Sequence, residues 1–138
     1  RACGVQGEGF SATAFGHTRA VADELAALIA SGDKRAHATL ERDFEAEGDD
    51  LPRPVEHIVV LDGRATPQAI VRITHVERRY FNDIDDEFAF ECGEGDRTLA
   101  WWLVAYRQEF AERAEAQGFQ VGEKAVLILE YFELVWPQ

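Results

Sequence analysis

Gly32 separates two incompatible periodicities, and that junction constrains the chain more than any other feature. Before it, Val21, Leu25, Leu28 and Ile29 recur at the spacing of one buried helix face. From Arg35 onward the period is two: Arg35, His37, Thr39, Glu41 and Asp43 share one face, with Ala36, Ala38, Leu40 and Phe44 on the other. The chain therefore leaves a helix at Gly32, where a left-handed backbone costs glycine nothing, and enters a strand almost at once. The same junction, Gly32-Asp33-Lys34-Arg35-Ala36-His37-Ala38-Thr39-Leu40, gathers a lysine, an arginine, a histidine and a hydroxyl. Such a cluster suits an anionic or polar ligand.

Composition sets the outer limits. With 138 residues and 46% apolar content the chain is read as one domain, 1–138, around one core. Fourteen basic against 26 acidic residues leave a net charge of −12, which opposes binding to a long duplex, because backbone affinity rests on cations that release counterions. The cations Lys34, Arg35, Arg42, Arg72, Arg78 and Arg79 fall on two expected strands, whereas acids dominate 41–50, 83–96 and 109–115. A small positive cleft in a negative shell is the expectation, fitted to a nucleotide or short single-stranded RNA and not to duplex DNA. Cys3 and Cys92 lie far apart without metal-site spacing. Reduced thiols in a cytoplasmic protein are expected, with one disulfide left open. No apolar run nears the ~18 residues of a membrane span, and no signal-peptide pattern opens the chain. The sequence lacks methionine and starts at Arg1, so the native start is expected to be missing.

Along the chain, Thr18 is placed to cap a helix running to Ser31, and a strand is expected over 35–44. Residues 45–55, with Pro52 and Pro54, read as a loop. His57 to Leu61, the turn signal Asp62-Gly63, and Gln68 to Glu77 read as a hairpin. Asp83 to Asp96 is expected to be an acidic connection. A second helix spans Thr98 to Ala116, with Leu99, Trp102, Tyr106 and Phe110 on one stripe and Gly118 as its stop. A closing strand covers Ala125 to Trp136. This order suggests a mixed α/β domain with a curled antiparallel sheet or barrel.

Several candidate sites carry both a structural and a functional reading. Lys34 and Arg35 sit at a helix's negative end, a dipole contact of about 0.3–1 kcal/mol for a partly exposed cation. Alternatively Lys34 holds an anion or, desolvated, acts as a base. Arg72 and Thr74 share a strand face with Ile70 and Val76, where Arg72 either contacts ligand or pairs with Glu130. Cys92-Gly93-Glu94-Gly95-Asp96 has the look of a phosphate loop, but its acids repel phosphate and Asp96 is read as a helix cap. Asp83, Asp85, Asp86 and Glu87 lack the ligand order of an EF-hand. His17, His37, His57 and His75 show no paired spacing, so no metal is expected. Trp102 is either core or a platform for a base.

The chain resembles the ASCH (activating-signal-cointegrator homology) domain in its compact, stand-alone bacterial branch, over about 15–135. The carriers are Phe15-Gly16, Ala22-Asp23-Glu24-Leu25, Gly32-Asp33-Lys34-Arg35-Ala36, Val59-Val60-Leu61-Asp62-Gly63 and Pro67-Gln68-Ala69-Ile70. Phe81 through Ala89, Gly93-Glu94-Gly95-Asp96, Trp102 and Glu130-Tyr131-Phe132-Glu133-Leu134-Val135 complete them. The resemblance implies an α+β, PUA-like fold: a small barrel of five or six mainly antiparallel strands flanked by helices, with an RNA-binding cleft. It also implies an RNA- or nucleotide-related role, and ribonuclease activity occurs among small bacterial members. One branch hydrolyses acetylated cytidine with a lysine, a threonine and a strand glutamate. Only Lys34 matches that set, since His37 stands at the threonine position and Arg72 at the glutamate position. Cys92 replaces the usual glutamate of the acidic-glycine motif, and Leu103 and Tyr106 replace an arginine and a histidine.

The resulting expectation is a protein that binds short single-stranded RNA or a nucleotide, and cleaves it if Lys34 and His37 are catalytic. Arg35, Thr39, Arg72, Thr74 and Trp102 are the expected binding residues. A metal-free cleavage would use Lys34 or Arg72 on the phosphorane and His37 as acid or base. Hydrolysis of a modified nucleoside and non-enzymatic reading of a modified base are the alternatives. No cofactor is expected, a divalent cation and the oligomeric state are left open, and no membrane partner is expected.

Overall fold

The first helix forms where the spacing of its apolar residues requires. The computed structural model describes residues 10–122 and 124–137. The short strand β1 (Phe10–Ala14) leads into α1 (Arg19–Ala30), whose first turn is closed by the Thr18 hydroxyl accepting the Val21 N–H at 3.1 Å. Ala22, Leu25, Ala26 and Ile29 form its buried face. Gly32, at φ +85°, turns the chain into β2 (Ala36–Leu40).

Beyond Leu40 the structure departs from the expected strand over 35–44. Residues Glu41–Glu47 are a helix, α2, ended by left-handed Gly48. Adjacent Asp43 and Phe44 are both buried, which a period of two forbids and a helix turned toward the core allows. Glu41 and Asp43 in the first turn also suit the positive end of a helix dipole. The acidic connection likewise proves structured. A single 3-10 turn (Phe81–Asp83) precedes α3 (Asp86–Cys92), capped by Asp85, whose carboxylate accepts the Phe88 N–H at 2.9 Å. The long helix α4 (Leu99–Gln117) is capped by Thr98 rather than Asp96. Asp96 instead accepts the Thr98 hydroxyl at 2.6 Å and holds the cap in place.

The hairpin is β3 (His57–Leu61) with β4 (Pro67–Tyr80), a longer second strand than expected, and β5 (Val126–Trp136) closes the chain. Asp23 of α1 accepts the Gly63 N–H at 2.8 Å, tying the hairpin turn to the first helix. The five strands make one sheet in the order β1-β3-β4-β5-β2, with β1 parallel to β3 and every other pair antiparallel. Two register shifts bend β4 against β5. They place Arg72 opposite Glu133, and the two pair at 2.7 Å, so the expected Arg72–Glu130 pair does not form. Ala69, Val71 and Ile73 are the buried face of β4, and Arg72 and Thr74 project from the other. The fold is mixed α/β, a curled half-barrel flanked by helices, as the element order implies.

Two clusters make the core. Val71, Ile73 and Phe132 pack with Leu25, Ala26 and Ile29 of α1, while Ala38, Leu40, Leu127 and Leu129 pack with Phe88, Trp102, Tyr106 and Phe110 of α3 and α4. Trp102 is 1% exposed and stacked on Tyr106 at 4.6 Å between ring centroids, so it is core and offers no platform to a base. Behind α3, Gly93 at φ +70° lies so close to the strand entry that a Cβ would strike the Asp33 carbonyl and the Lys34 Cα. Gly118 has a similar φ of +79° but open space around it. Gly118→Ala is therefore expected to lose about 1–2 kcal/mol for the left-handed backbone alone. Gly93→Ala adds an overpacking cost of about 1–3 kcal/mol. Urea unfolding of both variants measures the difference, and equal losses would remove the close-approach argument.

Candidate functional site

Sheet curvature brings its two edge strands toward each other without joining them. β1 and β2 share no ladder, yet Phe15, just past β1, meets His37 of β2 edge-on at 4.8 Å between ring centroids. The seam between them opens into a cavity of about 300 Å³. Thr13, Phe15 and His17 form one wall, His37 and Thr39 the opposite one. Glu130 of β5, directly across from His37 in the ladder, also lines the cavity, and α2 and α4 close it with Asp43, Glu47, Glu109 and Arg113.

The lining is rich in carboxylates. Asp43, Glu47, Glu109 and Glu130 stand against one guanidinium, Arg113, which donates to Asp43 at 2.9 Å. His17 contacts Glu109 at 3.3 Å and Glu112 at 3.7 Å, linking the loop before α1 to α4 at the cavity's rim. Burial raises the Glu109 carboxyl above its usual range, against the opposing pull of His17. The walls thus combine aromatic surface, a hydroxyl and hydrogen-bond acceptors.

Lys34 lies elsewhere. Its ammonium is fully buried, donating to Glu94 at 2.8 Å, to the Ala36 carbonyl at 2.6 Å and to the Cys92 carbonyl at 3.3 Å. Glu94 also accepts the Tyr106 hydroxyl at 2.6 Å. Burial, then the Glu94 charge, raises Tyr106 well above the usual phenol range, so it remains a donor. The expectation of a partly exposed Lys34 is thereby corrected: the left-handed turn at Gly32 and the close approach of Gly93 fold the loop over it. The carboxylate beside Lys34 is supplied by Glu94, in the loop behind α3, and the position assigned to it on β4 holds Arg72.

The remaining expected site residues are scattered. Thr39 lines the cavity with His37. Arg35 pairs with Glu91 at 2.7 Å, Arg72 with Glu133, and the Thr74 hydroxyl donates to the Tyr131 carbonyl at 3.2 Å. Arg78 pairs with Glu41 and Arg79 with Glu77, while Arg42 covers the Phe119 ring. The expected positive cleft therefore does not assemble, because carboxylates across the ladder, on neighbouring helices or on the same strand pair with Arg35, Arg72, Arg78 and Arg79. Cys92 is a buried free thiol, pushed up to about 12 chiefly by burial, and Cys3 lies outside the described residues. Among the described residues no group of three His, Cys, Asp or Glu is placed to hold a metal, and no helix is long and apolar enough to cross a membrane.

Sequence reading missed Glu94, Tyr106, Glu109, Arg113, His17 and Glu130 as site components. Glu130 carried a signal, a carboxylate inside the apolar run Val126–Phe132, which calls for a partner or a cavity. The others become neighbours only when α4 crosses the seam.

A curled half-barrel of this order, flanked by helices, is a PUA-like fold. The family model of the ASCH domain matches residues 11–136, and the chain belongs to that family, which is associated with RNA binding. The crystal structure of an ASCH domain from Lactobacillus crispatus is similar at a TM-score of 0.85 and 35% identity, covering 91% of this chain and 79% of that one. A protein from Enterococcus faecalis is similar at a TM-score of 0.82 and 28% identity, covering 90% and 75%. No curated protein matches the chain.

Two outcomes follow from the site's electrostatics. Lys34→Met strands the buried Glu94 charge and is expected to cost about 3–5 kcal/mol, with Glu94→Gln in the same chain restoring part of it. A loss below about 1 kcal/mol on urea unfolding would return Lys34 to a dipole contact. Because the folded state holds the Glu109 proton more tightly than the unfolded chain, that group's stabilisation is complete below the ordinary glutamate range. It is lost as pH rises through the raised value. Glu109→Gln should therefore reduce the decline of melting temperature across weakly acidic pH, and an unchanged gradient would contradict the shift.

Proposed function

We propose that this protein binds short single-stranded RNA or a nucleotide by seating one base in the seam cavity, recognising the base rather than its phosphates. The observation that carries this reading is the lining itself: four carboxylates, the Thr39 hydroxyl and His37 beside Phe15, with Arg113 already engaged by Asp43. Carboxylates accept hydrogen bonds from exocyclic amines and ring N–H groups, and aromatic rings pack against base faces. They repel phosphate, whose binding needs the cations that this structure pairs elsewhere. Membership in a family associated with RNA binding supports the ligand class.

Binding without turnover is the reading the geometry favours. Hydrolysis of acetylated cytidine needs Lys34 at the ligand, and cleavage of RNA needs Lys34 or Arg72 there beside His37. The Lys34 ammonium is occupied by three oxygens and is not among the groups lining the cavity. Arg72 is engaged by Glu133 on the outward strand face, so it and His37 do not form one phosphate site.

Calorimetric titration with a nucleoside, its monophosphate and a short single strand tests the proposal. Nucleoside and monophosphate are expected to agree within about threefold, less than 1 kcal/mol. The strand should show a shallow salt slope, on the order of one to two phosphates. Thr39→Val removes one hydrogen-bonding group and should weaken binding by about 0.5–1.5 kcal/mol. Steeply salt-dependent binding, or affinity indifferent to the Thr39 change, would place the ligand elsewhere.

A further inference from the structure

We infer that the open edge of β2 reads the base: the backbone N–H and C=O of Ala38 face the seam cavity as a donor and an acceptor side by side. The cavity then takes bases that present the complementary pair on one edge. This rests on the base-binding reading above and names how the same cavity recognises its ligand. The direction of the two groups follows from the ladder. The Phe132 N–H donates to the Arg35 carbonyl at 3.0 Å, and the antiparallel register from Ala36–Tyr131 to Leu40–Leu127 runs without a shift. Hydrogen-bonded pairs alternate along such a ladder. His37 and Thr39 therefore turn their backbone groups to β5, as the Arg35 carbonyl does, while Ala36, Ala38 and Leu40 turn theirs to the opposite side. Two side chains agree with this alternation. The Ala36 carbonyl accepts from the Lys34 ammonium at 2.6 Å. Tyr131, across from Ala36, turns its carbonyl to β4, where the Thr74 hydroxyl donates to it at 3.2 Å.

Among the described residues β2 pairs with β5 alone, and where a closed barrel would place another strand there is the cavity of about 300 Å³. His37, Ala38 and Thr39 all line it, although successive side chains of a strand point to opposite faces. Three consecutive residues share a cavity along the strand's edge, where the main chain meets it. The Ala38 methyl belongs to the core cluster of α3 and α4. Its neighbours along the edge are committed elsewhere: the Ala36 carbonyl holds Lys34, and Leu40 is the N-cap of α2, its carbonyl taken by the first helical bond. Buried backbone groups call for partners, and the edge of a strand offers its groups to whatever completes it. α2 and α4 close the cavity, which leaves room for one base and not for an added peptide strand.

Unpaired bases carry such an edge: a ring N–H beside a carbonyl in uracil and guanine, an amine beside a ring nitrogen in adenine and cytosine. It can exchange two hydrogen bonds with one residue, as two paired strand residues do. Methylating the ring N–H removes the donor and leaves the Ala38 carbonyl unmet in a closed site. The test compares neutral isomers that differ only in which atom carries the methyl. These are 3-methyluridine against 5-methyluridine, and 1-methylguanosine against 2′-O-methylguanosine. In calorimetry on the whole chain the isomer with the blocked edge should bind at least about tenfold more weakly, a ratio worth about 1.4 kcal/mol. Amide exchange followed by NMR reads the protein's side of the contact. The His37 and Thr39 amides should be protected with and without ligand, and the Ala38 amide should exchange at least about tenfold more slowly once the unblocked isomer is bound. Ala38→Pro deletes the N–H on the seam side and no ladder bond, the position at which an edge strand accepts proline. It should bind both isomers of a pair equally weakly. Replacing the Ala38 N–H by an ester oxygen keeps the methyl, spares the core the proline ring, and is expected to give the same result.

Equal affinities within both pairs would overturn the edge reading while leaving base binding intact. Absence of binding by every nucleoside, methylated or not, would remove the base-binding reading itself. An Ala38 amide as protected as its two neighbours in the free protein would show that another group of the chain already uses it, and would overturn the inference. Selectivity between isomers that survives in the ester variant would do the same.

Discussion

The buried contact between Lys34 and Glu94 is the interaction on which the arrangement of this domain depends. An ammonium with no exposed surface tolerates that position only if its donors are used. Here they go to one carboxylate and two backbone carbonyls. The three acceptors belong to β2, to the last residue of α3 and to the loop behind it, and Glu94 in turn receives the Tyr106 hydroxyl from α4. One ion pair thus joins the strand that begins at the first helix's end to the second helical layer. Gly93 makes the approach possible, because any side chain there meets the Asp33–Lys34 backbone.

That joint fixes where the cavity opens. Among the described residues β2 pairs with β5 alone and β1 with β3 alone, which leaves a seam in the curled sheet. α4, held against β2 by the Glu94–Tyr106 contact, lays Glu109, Phe110 and Arg113 across it. The same topology brings Glu130 opposite His37 and carries Arg72 to a different strand face, where it meets Glu133. A strand that had kept its period past Leu40 would have placed Asp43 on the sheet. As part of α2, Asp43 instead reaches Arg113 and Gln117 of α4 and closes the cavity's far side.

The charge distribution is what separates this domain from a binder of nucleic-acid backbone. Most of the cations concentrated in the sequence on two strands are each matched by a nearby carboxylate. Such exposed pairs contribute little to stability, but they remove the positive surface that phosphate recognition requires. The family's association with RNA and the acidity of this chain are compatible if recognition is directed at the base.

Much of the architecture was determined by local sequence. The helix from Thr18, the stop at Gly32, the hairpin after His57, the stripe Trp102–Tyr106–Phe110 and the closing strand all follow from periodicity and capping, which depend on neighbours a few residues away. The same local rules misread Glu41–Glu47 and Asp86–Cys92, where short acidic stretches are held helical by caps and by burial of Phe44 and Phe88. The cavity was only half legible. His37 and Thr39 share a strand face by period alone, and the sequence places them together on that ground. Which groups face them, and whether Lys34 reaches solvent or a buried carboxylate, depends on contacts between residues about sixty positions apart. No periodicity encodes such contacts. Only the closure of the sheet and the crossing of α4 bring Glu109, Arg113 and Glu130 to the seam, and with them the groups that a ligand meets.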